Sequence, residues 1–173
     1  AADTSKVSRF DKLLGKARTF YKKGLHAYYR EANYVEAVQL FDRAIEIDPS
    51  LAEAWHDRGL SLRELGKDDD ALKSIDKAVE LEPDNEEFLF TRADLLKKIG
   101  ILQGQKNVIA AAARTFNRIV ELNPQDGDAW NGLGVCTKEL GKVELSRQYF
   151  DRAQELIRMG KSRRKKRNLD TIV

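Results

Sequence analysis

Cysteine is almost missing from this sequence. Cys136 stands alone among 173 residues, so an internal disulfide is excluded and a reducing, intracellular, cytoplasmic setting is expected. Histidine is scarce too, with only His26 and His56. Two imidazoles and one remote thiol fall short of a structural zinc set, and neither a metal nor another cofactor is expected. No stretch of about 18 apolar residues occurs, so no membrane-inserted helix is expected. The opening AADTSKVSRF has no apolar core and does not read as a secretory signal. It lacks an initiator methionine, which fits a processed chain or a piece of a longer one. GxSxG, HExxH and a glycine-rich phosphate cradle are all absent, and the chain is not expected to be an enzyme. Prolines number three and glycines eleven, which leaves room for long helices between the breaks.

What is plentiful is charge, at 34% of residues against 42% hydrophobic, the balance of a helical protein with much solvated surface. The net charge of +3 is unevenly spread. Lys161, Arg163, Arg164, Lys165, Lys166 and Arg167 crowd the last segment against Asp170 alone, so the remainder is mildly acidic. Such a cluster of like charges repels itself, and no fixed helix is expected there.

A single period runs through the chain. Pro49 and Pro83 lie 34 residues apart, as do Ala37 and Ala71, Ala44 and Ala78, and Gly66 and Gly100. Pro83 to Pro124 and Gly100 to Gly141 are both 41, which marks an insertion of seven residues in the third unit. Trp55 and Trp130, like Gly59 and Gly134, stand 75 apart. Within the second unit Trp55, Gly59, Leu62 and Leu65 keep helical spacing up to Gly66, a glycine suited to a helix end. Asp68, Asp69 and Asp70 then open a second helix, where carboxylates complement the dipole. Ala71, Leu72, Ile75, Ala78, Val79 and Leu81 form its apolar stripe, and Pro83 closes it. Gly59, Ala71 and Ala78 are small enough to let two antiparallel helices approach closely, while Trp55, Leu62 and Ile75 fill the space between hairpins. Residues 5–31 read as one long helix, on the stripe Val7, Phe10, Leu13, Ala17, Tyr21, Leu25 and Tyr28. In the insertion, Ile99 and Leu102 extend one helix, Val108 and Ile109 start the next, and Gly104 is the expected turn. The protruding tip is read chiefly as a tolerated surface insertion, with a partner site as the alternative.

These residues resemble the tetratricopeptide repeat. Trp55, Gly59, Leu62, Ala71, Ile75, Ala78 and Pro83 carry the likeness in unit two, and Trp130, Leu133, Gly134, Phe150 and Ala153 in unit four. Unit one supplies Tyr21, Tyr28, Ala37, Phe41, Ala44 and Pro49, with Gly24 one residue early. Unit three is looser, with Leu89, Ala93, Leu96, Ala112, Phe116, Ile119 and Pro124. The resemblance covers about residues 18–159. It implies an all-α fold, a right-handed α-solenoid of about four antiparallel hairpins that stack because one hairpin cannot bury both faces. The expected divisions are 1–17, an extension continuous with the first helix; repeats over 18–51, 52–85, 86–126 (with the insertion) and 127–160; and a basic tail over 161–173.

The resemblance further implies a scaffold that holds a partner peptide or domain in a groove lined by the first helix of each hairpin. The residues it places there are Thr19, Lys22, His26 and Tyr29; Glu53, His56, Leu60 and Arg63; Glu87, Phe90, Asp94 and Lys97; and Asp128, Asn131, Val135 and Lys138. Acids at first turns (Glu53, Glu87, Asp128) and bases at last turns (Arg63, Lys97, Lys138) form either recognition rails or simple complements to the helix dipoles. Some family members clamp a partner's terminal carboxylate with Lys and Asn. The comparable places here hold Lys22, His26, Asp57, Glu87 and Thr91, so most of that clamp is absent and a chaperone-tail receptor is not expected.

Other readings are weaker. The tail could bind an anionic surface or nucleic acid through Lys161 to Arg167, but no aromatic residue interleaves it to stack on bases, and a solubilising role is the plainer one. Cys136 reads as a buried, inert thiol, and Trp55 and Trp130 as core. Tyr149, Leu156 and Ile157 are candidates for an exposed apolar face, which leaves the chain a monomer or a weak homodimer.

Overall fold

The computed structural model describes residues 8–162. Among the described residues there are eight α-helices and no strands: α1 (Arg9–Tyr29), α2 (Tyr34–Ile47), α3 (Ala52–Glu64), α4 (Asp68–Leu81), α5 (Glu86–Gln103), α6 (Lys106–Leu122), α7 (Gly127–Glu139) and α8 (Val143–Arg158). Successive helices pair into four hairpins. The described residues form two compact units, 8–81 and 82–162. In the first, α2 packs on α3 and so joins two hairpins; in the second, α6 packs on α7 and does the same.

In α1, α3 and α7 the first helix of the hairpin presents no Cβ opposite a large side chain of the second. A Cβ on Gly59 would lie 2.5 Å from Ile75 Cγ1, and one on Gly134 would lie 2.9 Å from the Phe150 ring. Gly24 does the same for Phe41 at 2.6 Å, despite standing one residue out of the period. Ala37, Ala71 and Ala112 on the second helices are fully buried, as the requirement for close approach demands. Gly132, which the repeat pattern did not single out, serves the next interface: its Cβ would run into the Phe116 ring, so α6 and α7 depend on it.

Four helix ends share one device. Gly66, Gly104, Gly141 and Gly160 all have positive φ. After α3, the Gly66 amide donates to Arg63 O and the Lys67 amide to Leu62 O, both at 2.9 Å, the paired bonds of a Schellman end. The same register in the first hairpin holds Ala32, at φ 50, a left-handed conformation that costs a side chain about 1–2 kcal/mol.

Several sequence expectations need correction. The long first helix begins at Arg9, not at residue 5, and ends at Tyr29. Ser8 is extended and caps it, with the Asp11 amide donating to Ser8 Oγ and the Ser8 amide to Asp11 Oδ2, both at 3.1 Å. Val7 lies outside the described residues. Gly100 keeps the period of the helix-end glycines but sits inside α5 against Ile109; the insertion moves the turn to Gly104, as the spacing suggested. The insertion lengthens both helices, α5 to 18 residues and α6 to 17. Leu102 continues α5, yet it is 73% exposed and does not face inward. Trp55 and Trp130 are only half-buried. Each indole N–H donates to a proline carbonyl six residues earlier, Pro49 O and Pro124 O, at 2.9 Å, so the tryptophans latch the loop before their helix. Leu156 is buried, and the exposed apolar residues of the last hairpin are Val143, Leu145, Ile157 and Met159.

Two expected outcomes follow for stability. Replacing Ala32 with glycine removes the backbone penalty and should raise stability in urea unfolding by about 0.5–1 kcal/mol. Gly132→Ala forces a methyl into the Phe116 ring and should lower it by about 1–3 kcal/mol.

Candidate functional site

The first helices of each unit lie side by side, α1 beside α3 and α5 beside α7. In the unit over residues 82–162, a short apolar strip runs between charged ends. Phe90 on α5 is half-buried and meets the fully buried Phe116 edge-on, at 5.7 Å between ring centres. Val135 on α7 is also half-exposed. Lys97 donates to Asp94 Oδ1 at 2.7 Å, and its ammonium sits 5.6 Å from the Phe116 ring centre, so that charge is already committed locally. Glu87, Asn131 and Lys138 are exposed. Asp128 accepts a hydrogen bond from Ser162 Oγ at 2.8 Å, and the Gly127 amide donates to Lys161 O at 3.0 Å. The chain beyond α8 is thereby tied to the start of α7. Of the tail's cations Lys161 is described; Arg163, Arg164, Lys165, Lys166 and Arg167 lie outside the described residues.

In the unit over residues 8–81 the face is built differently. Thr19, Lys22 and His26 are exposed on α1, and Tyr29, Glu53, Leu60 and Arg63 are half-buried. His26 Nδ1 stands 3.3 Å from Glu31 Oε1 at the solvent boundary. His56, expected on this face, is instead 1% exposed. Its Nδ1 lies 3.4 Å from Asp57 Oδ1, while Asp57 Oδ2 accepts the Tyr21 hydroxyl at 2.8 Å. The two histidines thus occupy different surroundings, one wet and one dry. No group of three or more His, Cys, Asp or Glu side chains among the described residues is placed to hold a metal ion. The partly buried Tyr21–Asp57 bond spans 36 residues, which no local pattern could have revealed.

Two groups on these faces titrate unusually. Burial pushes the Cys136 thiol up to about 11, with nearby Lys97 opposing the rise. Burial, with help from Glu64 and Tyr29, raises the Tyr28 phenol to about 12. Both shifts oppose ionisation, so neither group is poised as a nucleophile or base.

The geometry agrees with what comparison with known proteins finds. Three family models match, two described as tetratricopeptide repeat over residues 52–85 and 97–160 and one as TPR repeat over 26–66. The chain is a tetratricopeptide repeat protein. Protein STIP1 homolog from Dictyostelium discoideum is 39% identical over 85 residues, a match covering 49% of this chain and 15% of that protein. Two solved structures share the fold. One is MamA, with a TM-score of 0.73, 15% identity and coverage of 87% of this chain and 86% of that one. The other is the first TPR of Spaghetti (RPAP3) bound to the HSP90 peptide SRMEEVD, with a TM-score of 0.62, 20% identity and coverage of 73% and 97%. The family and its relatives support a role in protein–protein interaction in general. Among the described residues no helix is long and apolar enough to cross a membrane.

The raised thiol and phenol values set a pH dependence. Both groups stay protonated in the fold at a pH where the unfolded chain has ionised. Their stabilisation is therefore whole below the unfolded values, near 9 for the thiol and 10 for the phenol, and is lost as pH rises through the folded values. Denaturant midpoints should hold steady to pH 8 and fall steeply between pH 9 and 12. Tyr28→Phe should flatten the upper part of that fall.

Proposed function

We propose that the chain is a non-catalytic protein-interaction module whose guest lies along the exposed faces of its first helices. The observation that carries this reading is the strip on α5 and α7. Phe90 and Val135 remain half-exposed on the first helices of their hairpins, and the exposed Glu87, Asn131 and Lys138 border them. Anchors of this kind, spaced along parallel helices, suit an extended or helical peptide. In the other unit Tyr29, Leu60 and Arg63 form the comparable strip, with Lys22, His26 and Glu53 at its margins.

The guest is not expected to present a terminal carboxylate as its main handle. Lys22 and His26 are exposed on α1, but Asp57, at a place where a clamp would offer an amide, is a buried carboxylate already bonded to the Tyr21 hydroxyl. A second carboxylate brought against it would be repelled. The peptide SRMEEVD, seen on the Spaghetti domain, is therefore a poor ligand here.

Capture of partners from host extract by the immobilised chain tests the reading. Lys138→Glu and Asn131→Arg change exposed side chains and should leave helicity intact. Together they should deplete the captured protein about tenfold. Retention of every captured protein by the double variant, at unchanged helicity, would remove the α5–α7 face as the site. In the same apparatus, SRMEEVD should bind no more tightly than about 1 mM.

A further inference from the structure

The two units obey one period, yet they fill the corner between a second helix and the following hairpin with opposite chemistry. In the first unit that corner lies among α2, α3 and α4, and Arg58 spans it. Its Nε donates to Asp42 Oδ1 at 2.6 Å and its Nη1 to Ser74 Oγ at 2.5 Å. Moving 75 residues along the sequence, Arg58 becomes Leu133, Asp42 becomes Asn117, Ser74 becomes Tyr149 and Leu62 becomes Thr137. Every member of the plug is replaced. Asn117 turns along its own helix and donates to Glu121 Oε1 at 2.7 Å. Tyr149 leans on Trp130, 5.5 Å between ring centres. None of the three replacement side chains hydrogen-bonds across the corner, and an open groove of about 490 Å³ lies among α6, α7 and α8.

Its lining is divided. Leu133, Leu140, Leu145 and Tyr149 supply an apolar floor, while Arg114 and Lys142 stand exposed at the rim. Arg118 and Glu121 also line it, but these neutralise each other and Arg118 further binds Asp84 at 2.7 Å. The charge left over is positive: neither Arg114 nor Lys142 is in an ion pair among the described residues. This groove opens from α6 and α8, the second helices of their hairpins, and so is a different surface from the α5–α7 strip.

We infer that this groove docks an acidic segment of a partner protein, with one branched or aromatic side chain seated on Leu133, Leu140 and Tyr149 and flanking carboxylates meeting Arg114 and Lys142. The apolar floor fits the side chain, and the uncompensated cations select the sign of what flanks it. A basic segment would be repelled.

Fluorescence anisotropy tests this with the full chain and a labelled synthetic peptide that sets one leucine among aspartates. A control peptide replaces the aspartates with lysines. The acidic probe should bind and weaken as salt rises, and the lysine control should bind at least about tenfold more weakly. Arg114→Glu with Lys142→Glu changes only exposed side chains and should reduce affinity for the acidic probe about tenfold or more at unchanged helicity. Restoring the plug with Leu133→Arg, Asn117→Asp and Tyr149→Ser should abolish binding where that variant folds; the charge-reversal pair decides the matter where it does not. Equal binding of both peptides, or no loss on charge reversal, overturns the inference. So does loss caused by Lys138→Glu with Asn131→Arg instead, which would put the probe on the other face. Sedimentation of the full chain over a range of concentrations separates a second copy as occupant. Self-association that Arg114→Glu and Lys142→Glu abolish would also overturn the inference.

Discussion

The distance between the two helices of a hairpin governs the rest of this structure. Helices usually cross at 8–10 Å between axes, depending on the side chains between them. A missing Cβ opposite a large side chain selects the near end of that range. Gly59 against Ile75 and Gly134 against Phe150 make the point at one repeat position. Gly24 against Phe41 makes it from one residue away. With that spacing set, the opposite faces of each hairpin are still apolar, and they can be covered only by stacking. Within each unit this is what α2 on α3 and α6 on α7 achieve. The residues left on the outer faces are those the stacking cannot reach, and a guest meets these.

This constraint was legible because it is periodic. Glycine, alanine and proline recur at fixed intervals for steric reasons, so the number of helices, their partners and the place of the insertion could all be read from spacing. Depth was not legible. A period reports where a residue falls in the unit and says nothing of how much neighbouring chain covers it. Trp55 and Trp130 shared a position and were read as core, but their indoles latch on to proline carbonyls at the edge. The resemblance implies an open face for His56, yet it lies beside Asp57 in the interior. Asp57 is held by Tyr21 from another helix, and a contact between hairpins leaves no trace in local pattern. Gly132 escaped notice for the same reason. Its register partner in the first unit is Asp57, so the position does not repeat, although Phe116 depends on it.

Places where the period holds in backbone but fails in chemistry are therefore the informative ones. Ala32 occupies a glycine register and accepts a left-handed backbone there, a cost that only the surrounding hairpin can offset. Lys97, placed in a row of bases at helix ends, is drawn on to Asp94 and the Phe116 ring. Its charge therefore helps orient the strip beside Phe90 and is less available to a distant ligand. Of the three last-turn bases, Lys138 is the exposed one, Arg63 and Lys97 being half-buried, which concentrates any electrostatic reading of the α5–α7 face at a single end.

The exchange of the Arg58 plug for Leu133 shows what such a change does energetically. Arg58 and Asp42 are partly exposed, at 26% and 42% of their side chains. A pair in that setting adds little net stability because desolvation and side-chain ordering offset most of the attraction. Its main effect is to fill the corner and fix its geometry. Leucine in its place gives up the directed bonds and is itself buried, and the groove beside it is left lined by the more accessible Leu140, Leu145 and Tyr149. Burying one apolar side chain of a guest there is worth about 1.5–3 kcal/mol, which alone corresponds to binding weaker than about 1 mM. The rim cations must therefore supply both the remaining affinity and the choice of partner. A contact assembled this way forms and releases readily and responds to salt. The second unit can carry it at little cost in stability, because the pair it replaces contributed little.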